Sequence, residues 1–87
     1  MQIPKLKVLV EAGAMRQVAA MPEADGWAVW IAHATRSGER REALERQRGG
    51  LRVFATLDAV ARCLAGAGLS EFRACVAGLP GKEAEPP

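Results

Sequence analysis

The segment from Trp27 to Ala34 constrains the fold most, because it carries apolar side chains on both of its faces. In an extended chain, alternate side chains point to opposite sides. One side would carry Trp27, Val29, Ile31 and His33, and the other would carry Ala28, Trp30, Ala32 and Ala34. We predict a strand here, in a sheet whose two faces must each be covered, be polar or meet a partner.

Two segments nearer the N-terminus are also predicted to be strands. In Lys5–Val10, apolar residues alternate with lysines along most of the segment. Gln17–Met21 is a weaker candidate, and Pro22 indicates a sheet edge or a strand end because proline lacks a backbone N–H. The dipeptide Asp25–Gly26 follows, and such a pair between two β-like segments favours a hairpin turn in which both central residues have positive φ.

One helix is predicted, over Thr56–Ala65. Thr56 is a good N-cap, and Asp58 places negative charge in the first turn. An apolar stripe follows at helical spacing, made of Leu57, Val60, Ala61 and Leu64. Glu71–Val76 is predicted to be a last strand.

The segment Glu39–Arg48 allows two interpretations. Its residue types favour a helix, but only Ala43 and Leu44 could be buried, so a helix here would lack an apolar stripe. We therefore prefer a short polar strand from which Leu44 points inward.

The fold predicted from these elements is α+β: an antiparallel sheet of four to five strands with one main helix packed on one face, in the order strands, helix, strand. With 87 residues the chain forms one small domain, placed at residues 1–79. Residues 80–87 have little to bury, and we predict a disordered tail. A single ten-residue helix cannot cover both sheet faces.

Few residues suit catalysis or metal binding. His33 is the only histidine, and it shares a predicted strand face with apolar residues. Cys63 and Cys75 are twelve residues apart without a second histidine, which does not fit a zinc site. Buried free thiols are the better interpretation of the two cysteines. We therefore predict no enzymatic activity, no cofactor, no bound metal and no small-molecule substrate.

Two features remain as candidates for binding. Arg46, Arg48 and Arg52 form an arginine-rich segment that could contact DNA phosphates or a partner protein, or could serve only as a solubilising loop. Trp30, with Ala28 and Ala32, forms an apolar strip that could be a self-association surface. We predict a homodimer through the sheet, either on this strip or along the edges Lys5–Val10 or Gln17–Met21. The alternative is a monomer in which Trp30 packs beneath the Met15–Gln17 segment or the C-terminal tail.

One stretch of the chain follows a pattern known from a protein family. Its residues are Leu44, Arg48, Gly49, Arg52 and Phe54, then Thr56, Leu57 and Asp58, then Gly68, Leu69 and Phe72. Over roughly residues 8–76 the chain resembles small ParC-type partition-associated proteins of plasmids and integrative conjugative elements. The resemblance implies a non-enzymatic accessory in mobile-element maintenance that contacts DNA or a partition or transfer protein. It also implies an extended segment before Arg48.

The chain shows no signal for a membrane. No apolar run reaches the length of a membrane span. The first seven residues lack the apolar stretch of a signal peptide. We expect a cytoplasmic protein that does not bind membranes.

Overall fold

A computed structural model describes residues 1–77 and contains two helices and five strands. The elements are α1 (Ile3–Glu11), β1 (Met15–Glu23), β2 (Gly26–Thr35), β3 (Gly38–Ala43), β4 (Val53–Phe54), α2 (Leu57–Gly66) and β5 (Arg73–Ala74). The predicted α+β class is confirmed. The predicted tail, residues 80–87, lies outside the described residues, as do the last two residues of the predicted domain. Neither helix in the described part of the chain is long and apolar enough to cross a membrane.

The sheet is mixed rather than antiparallel. Its strand order is β3-β2-β1-β5, and β4 pairs with β2. The first three strands form an antiparallel meander, whereas β5 runs parallel to β1. A parallel partner requires a crossover connection, and the segment containing α2 provides it. The last strand is also only two residues long, much shorter than the predicted Glu71–Val76.

The prediction of a strand at Lys5–Val10 is wrong, because this segment lies in α1. The apolar residues also fit helical spacing, and their packing against the core selects the helix. Four of them pack in or against the core: Ile3, Leu6, Leu9 and Val10. Pro4 is favourable in the first turn, where its missing N–H would have no helical partner. Val8, which the strand pattern would have buried, is 62% exposed.

The first hairpin is confirmed, with a different turn. β1 contains the predicted Gln17–Met21 strand and ends at Glu23, so Pro22 marks a strand end; β1 lies between β2 and β5 rather than at the sheet edge. The turn residues are Ala24 and Asp25, and neither has a positive φ. Gly26 instead starts β2, where a Cβ atom would collide with the carbonyl oxygen of Phe54. Glycine is required here for the close approach of β4.

The preferred interpretation of Glu39–Arg48 is confirmed in its first half. β3 ends at Ala43, and the next residue, Leu44, is fully buried in the core. The predicted helix after Thr56 is also confirmed, and the Thr56 hydroxyl accepts a hydrogen bond from the Ala59 N–H at 3.1 Å.

Both helices contribute to the same hydrophobic core, which lies on one side of the sheet. Leu6 from α1 and Val60 and Leu64 from α2 are buried in one cluster with side chains from alternate positions of β1 and β2. Those strand residues are Val18, Ala20, Val29 and Ile31. We call this side of the sheet the inner face. The structure therefore has two helices packed on the sheet, whereas one main helix was predicted.

Candidate functional site: the outer face of the sheet

The other side of the sheet, which we call the outer face, carries the remaining alternate positions of the strands. The pairing register aligns these positions in three rows across the sheet. The rows are Ala19, Trp30 and Ala43; Met21, Ala28 and Val53; and Gln17, Ala32 and Arg41. The structure thus places the predicted residues Ala28, Trp30 and Ala32 side by side on one surface.

The centre of the outer face is apolar, and Trp30 is its largest side chain. Trp30 and Met21 are half-buried, and the alanines between the larger residues are sheltered. Val53 is 46% exposed. Within residues 1–77, none of these side chains belongs to the buried cluster formed with the two helices or packs against that cluster. The outer face is therefore an apolar surface that neither helix covers.

Polar and charged side chains surround this centre. A shallow depression of about 260 Å³ lies beside Trp30 and is lined also by Gln17, Ala19, Ala32, Glu39 and Arg41. Arg73 faces the same side, because β5 aligns it with Ala19. A large aromatic residue inside a polar rim is the usual composition of a protein interface centre. The rim carries more positive than negative charge.

The three arginines of the predicted binding segment lie in the connection between β3 and β4. Arg46 begins a tight loop that ends at Gly50, and the Arg46 Nε donates a hydrogen bond to the Gly49 carbonyl at 3.2 Å. The Arg52 guanidinium lies 4.7 Å from the centre of the Phe54 ring, in a cation–π contact. Arg48 is exposed. Two of the three side chains thus have partners within the chain.

A cluster of charged groups joins α1 to the sheet near the inner face. His33 Nε2 lies 2.8 Å from Glu42 Oε2, and Lys5 Nζ donates to the same oxygen at 3.1 Å. The hydrogen bond from His33, followed by Lys5, lowers the pKa of Glu42 from 4.5 to about 2, although burial acts in the opposite direction. Arg40 Nε is 3.8 Å from the same carboxylate. The cluster fastens α1 to β2 and β3.

His33 is thus a structural residue of this cluster. Its ring is 4% exposed, and its Nδ1 atom has no hydrogen-bond partner in the described part of the chain. Among residues 1–77, no three His, Cys, Asp or Glu side chains are grouped as metal ligands would be. Cys63 and Cys75 are free thiols, as predicted, but both are half-buried rather than buried.

Sequence reasoning missed several residues of the outer face. Met21, Arg41 and Val53 join Trp30 only through the register between strands, which the sequence alone does not specify. Alternation within β1 and β3 assigns Met21 and Arg41 each to one face of its own strand. It does not show that this face is the one that carries Trp30. Glu42 and Lys5 were missed because α1 was assigned as a strand.

No protein-family model, curated protein or solved structure matches this chain. Its function is therefore argued from its own residues.

Proposed function

We propose that the protein is a non-enzymatic protein-binding module whose docking surface is the outer face of the sheet. The observation that carries this proposal is the position of Trp30 at the centre of an apolar face that neither helix covers. Tryptophan is enriched among the residues that contribute most to binding at protein interfaces. Its neighbours on this face are small alanines, most of which are already sheltered from solvent. A partner's side chain can therefore approach the indole closely.

The rim indicates the chemistry of the partner. Arg41 and Arg73 outweigh the single carboxylate of Glu39, and Gln17 adds an uncharged polar group. Two copies docked face to face would bring these arginines together. A different protein, with acidic side chains around an apolar one, complements the surface better.

The biological setting of this proposal rests on the resemblance to partition-associated proteins. In that setting the partner is a partition or transfer protein of a mobile element, and the module acts as a cytoplasmic accessory. Direct binding of DNA through Arg46, Arg48 and Arg52 is the competing function. It has less support, because Arg46 and Arg52 are engaged within the chain.

Site-specific photo-crosslinking in cells that carry the protein tests the docking surface. A benzoylphenylalanine residue is introduced at Gln17 on the outer face, and in a matched variant at Arg62, an exposed residue of α2. We expect a protein crosslink from position 17 and none of the same size from position 62. Equal crosslinking from both positions, or crosslinks to DNA alone, would contradict the proposal.

A salt titration tests the competing function on purified protein. If Arg46, Arg48 and Arg52 neutralise phosphates, log K for duplex DNA falls with log salt by about 0.9 per phosphate contacted. The triple alanine variant would then lose both affinity and salt dependence. We expect weak binding that is equal for the wild type and the variant.

A further inference from the structure

The outer edge of β3 has backbone groups available for pairing. Within residues 1–77, β3 pairs along its length only with β2. Met1 contacts the chain just beyond this edge, where its nitrogen donates to the Ala43 carbonyl and its own carbonyl accepts from the Glu45 N–H. The edge from Gly38 to Arg41 is left open.

The hydrogen bonds across the sheet show which residues point outward along this edge. The Leu44 N–H donates to the Val29 carbonyl at 2.8 Å, so Leu44 directs its backbone groups towards β2. Because this direction alternates along an antiparallel strand, Glu42 and Arg40 do the same. Glu39 and Arg41 therefore direct their N–H and C=O groups away from the sheet.

The side chains of Glu39 and Arg41 are opposite in charge and lie on the same face. Both belong to the outer face, because they align with Ala34 and Ala32 of β2. Neither makes an ion pair with another residue in the described part of the chain. Glu39 and Arg41 are two residues apart on this edge. When a second copy of the edge is turned through 180° and placed alongside, each Glu39 therefore lies opposite an Arg41.

We infer that two copies of this chain pair antiparallel along β3, with Glu39 of each copy opposite Arg41 of the other. In this register, each Glu39–Arg41 pair exchanges both backbone hydrogen bonds, and their side chains form an ion pair on the outer face. The two-fold axis passes between the two copies of Arg40. The partner is a second copy because this register satisfies the charges of both edges at once.

The inner face at the axis carries the one unfavourable contact. The two Arg40 side chains would lie opposite each other there. Each of them has Glu42 of its own chain within 3.8 Å and would have Glu42 of the second copy in the diagonal position. The two Glu42 carboxylates, which also accept from His33 and Lys5 of their own chains, offset part of the repulsion between the two guanidinium groups.

The pairing places both outer faces on the same side of one continuous sheet. A partner with two binding sites could then engage both Trp30 side chains, which raises the effective affinity without new contacts. The edges predicted earlier for the dimer are less suitable, because Lys5–Val10 is helical and β5 already pairs with Ala19 and Ala20 in the middle of Gln17–Met21.

Charge reversal tests the register. Glu39→Arg and Arg41→Glu each turn both ion pairs into like-charge pairs, and we expect each to lower the association constant about tenfold or more. An equimolar mixture of the two variants restores opposite charges at both positions. We expect this mixture to associate as strongly as the wild type. We expect the same of the double variant E39R/R41E. Sedimentation equilibrium on purified protein measures the association constants.

The control is Arg36→Glu, which changes the net charge as Arg41→Glu does but lies in the turn before β3. We expect it to leave the association constant of the wild type unchanged. A wild type that is monomeric at all concentrations, or a mixture that associates no better than its components, would overturn the inference. So would a dimer that Trp30→Ala dissociates and charge reversal leaves intact. The dimer and the docking proposal fail separately, because the first is measured without any partner.

Discussion

Trp27 and Trp30 lie three residues apart on β2 and face opposite sides of the sheet. Both are half-buried. Trp27 packs against the hydrophobic core beneath the two helices, whereas Trp30 has no contact with that core and stands among alanines on the outer face. The tryptophan on the inner face thus packs against the core, whereas the tryptophan on the outer face lies where neither helix covers it.

This small domain thus uses one face of its sheet for folding and leaves the other for binding. Helices α1 and α2 cover the inner face, and Phe54 of β4 adds a buried side chain to the core. The outer face contributes little to that core, so it is available for a partner.

Removing the inner tryptophan should have the largest effect. Trp27→Ala deletes a large side chain packed against the core, and we expect it to lower the free energy of unfolding by about 3 kcal/mol. Urea denaturation followed by circular dichroism measures this loss. A loss below about 1 kcal/mol, less than core truncations cause, would show that the inner face is not the structural side.

The charged cluster that fastens α1 is the next test. Glu42→Gln removes the charged acceptor shared by His33 and Lys5, and we expect a loss of about 2 kcal/mol at neutral pH. Glu23→Gln, at the exposed end of β1 and outside the cluster and the proposed dimer edge, is a matched control. If both substitutions cost the same, the inner cluster has no special role.

The cluster also predicts an acid dependence. The pKa of Glu42 is lower in the folded protein, about 2, than its ordinary value of 4.5. Its stabilising contribution is therefore complete above pH 4.5 and is lost as the pH falls towards 2. We expect the unfolding free energies of the wild type and Glu42→Gln to converge in this range. A constant difference between them would contradict the assignment.

The cap of α2 should have a smaller effect. Thr56→Ala removes the hydroxyl that accepts from the Ala59 N–H, and we expect a loss of about 1 kcal/mol. Thr56→Ser, which keeps the hydroxyl, should restore most of it. Thermal unfolding compares the three proteins, and equal midpoints would show that the cap does not hold the helix that covers the inner face.

Much of this architecture could be predicted from local sequence patterns. Alternation identified β2 and placed Trp30 with Ala28 and Ala32, and capping and periodicity identified α2. Helix α1 could not be separated from a strand, because Leu6 and Val10 fit both periods and only packing against the core selects the helix. The parallel pairing of β5 with β1 depends on contacts more than fifty residues apart, which no local pattern encodes.

The candidate site shows the same limit. Trp30 could be found from the sequence, but Met21, Arg41 and Val53 reach it only through strand register. The sequence shows the cluster of arginines in the arginine-rich segment but not the contacts of their side chains. Its charges are close along the chain, yet Arg46 donates a hydrogen bond to Gly49 and Arg52 lies over the Phe54 ring.

The most direct test of the account is the yield of the position-17 crosslink in two tryptophan variants. We expect Trp30→Ala to abolish the protein crosslink while it lowers the free energy of unfolding by only about 1 kcal/mol, since its contacts lie outside the core. Trp27→Phe, which keeps an aromatic ring on the inner face, should retain the crosslink. An undiminished crosslink in Trp30→Ala, or its equal loss in both variants, would contradict the claim that the outer face binds and the inner face folds.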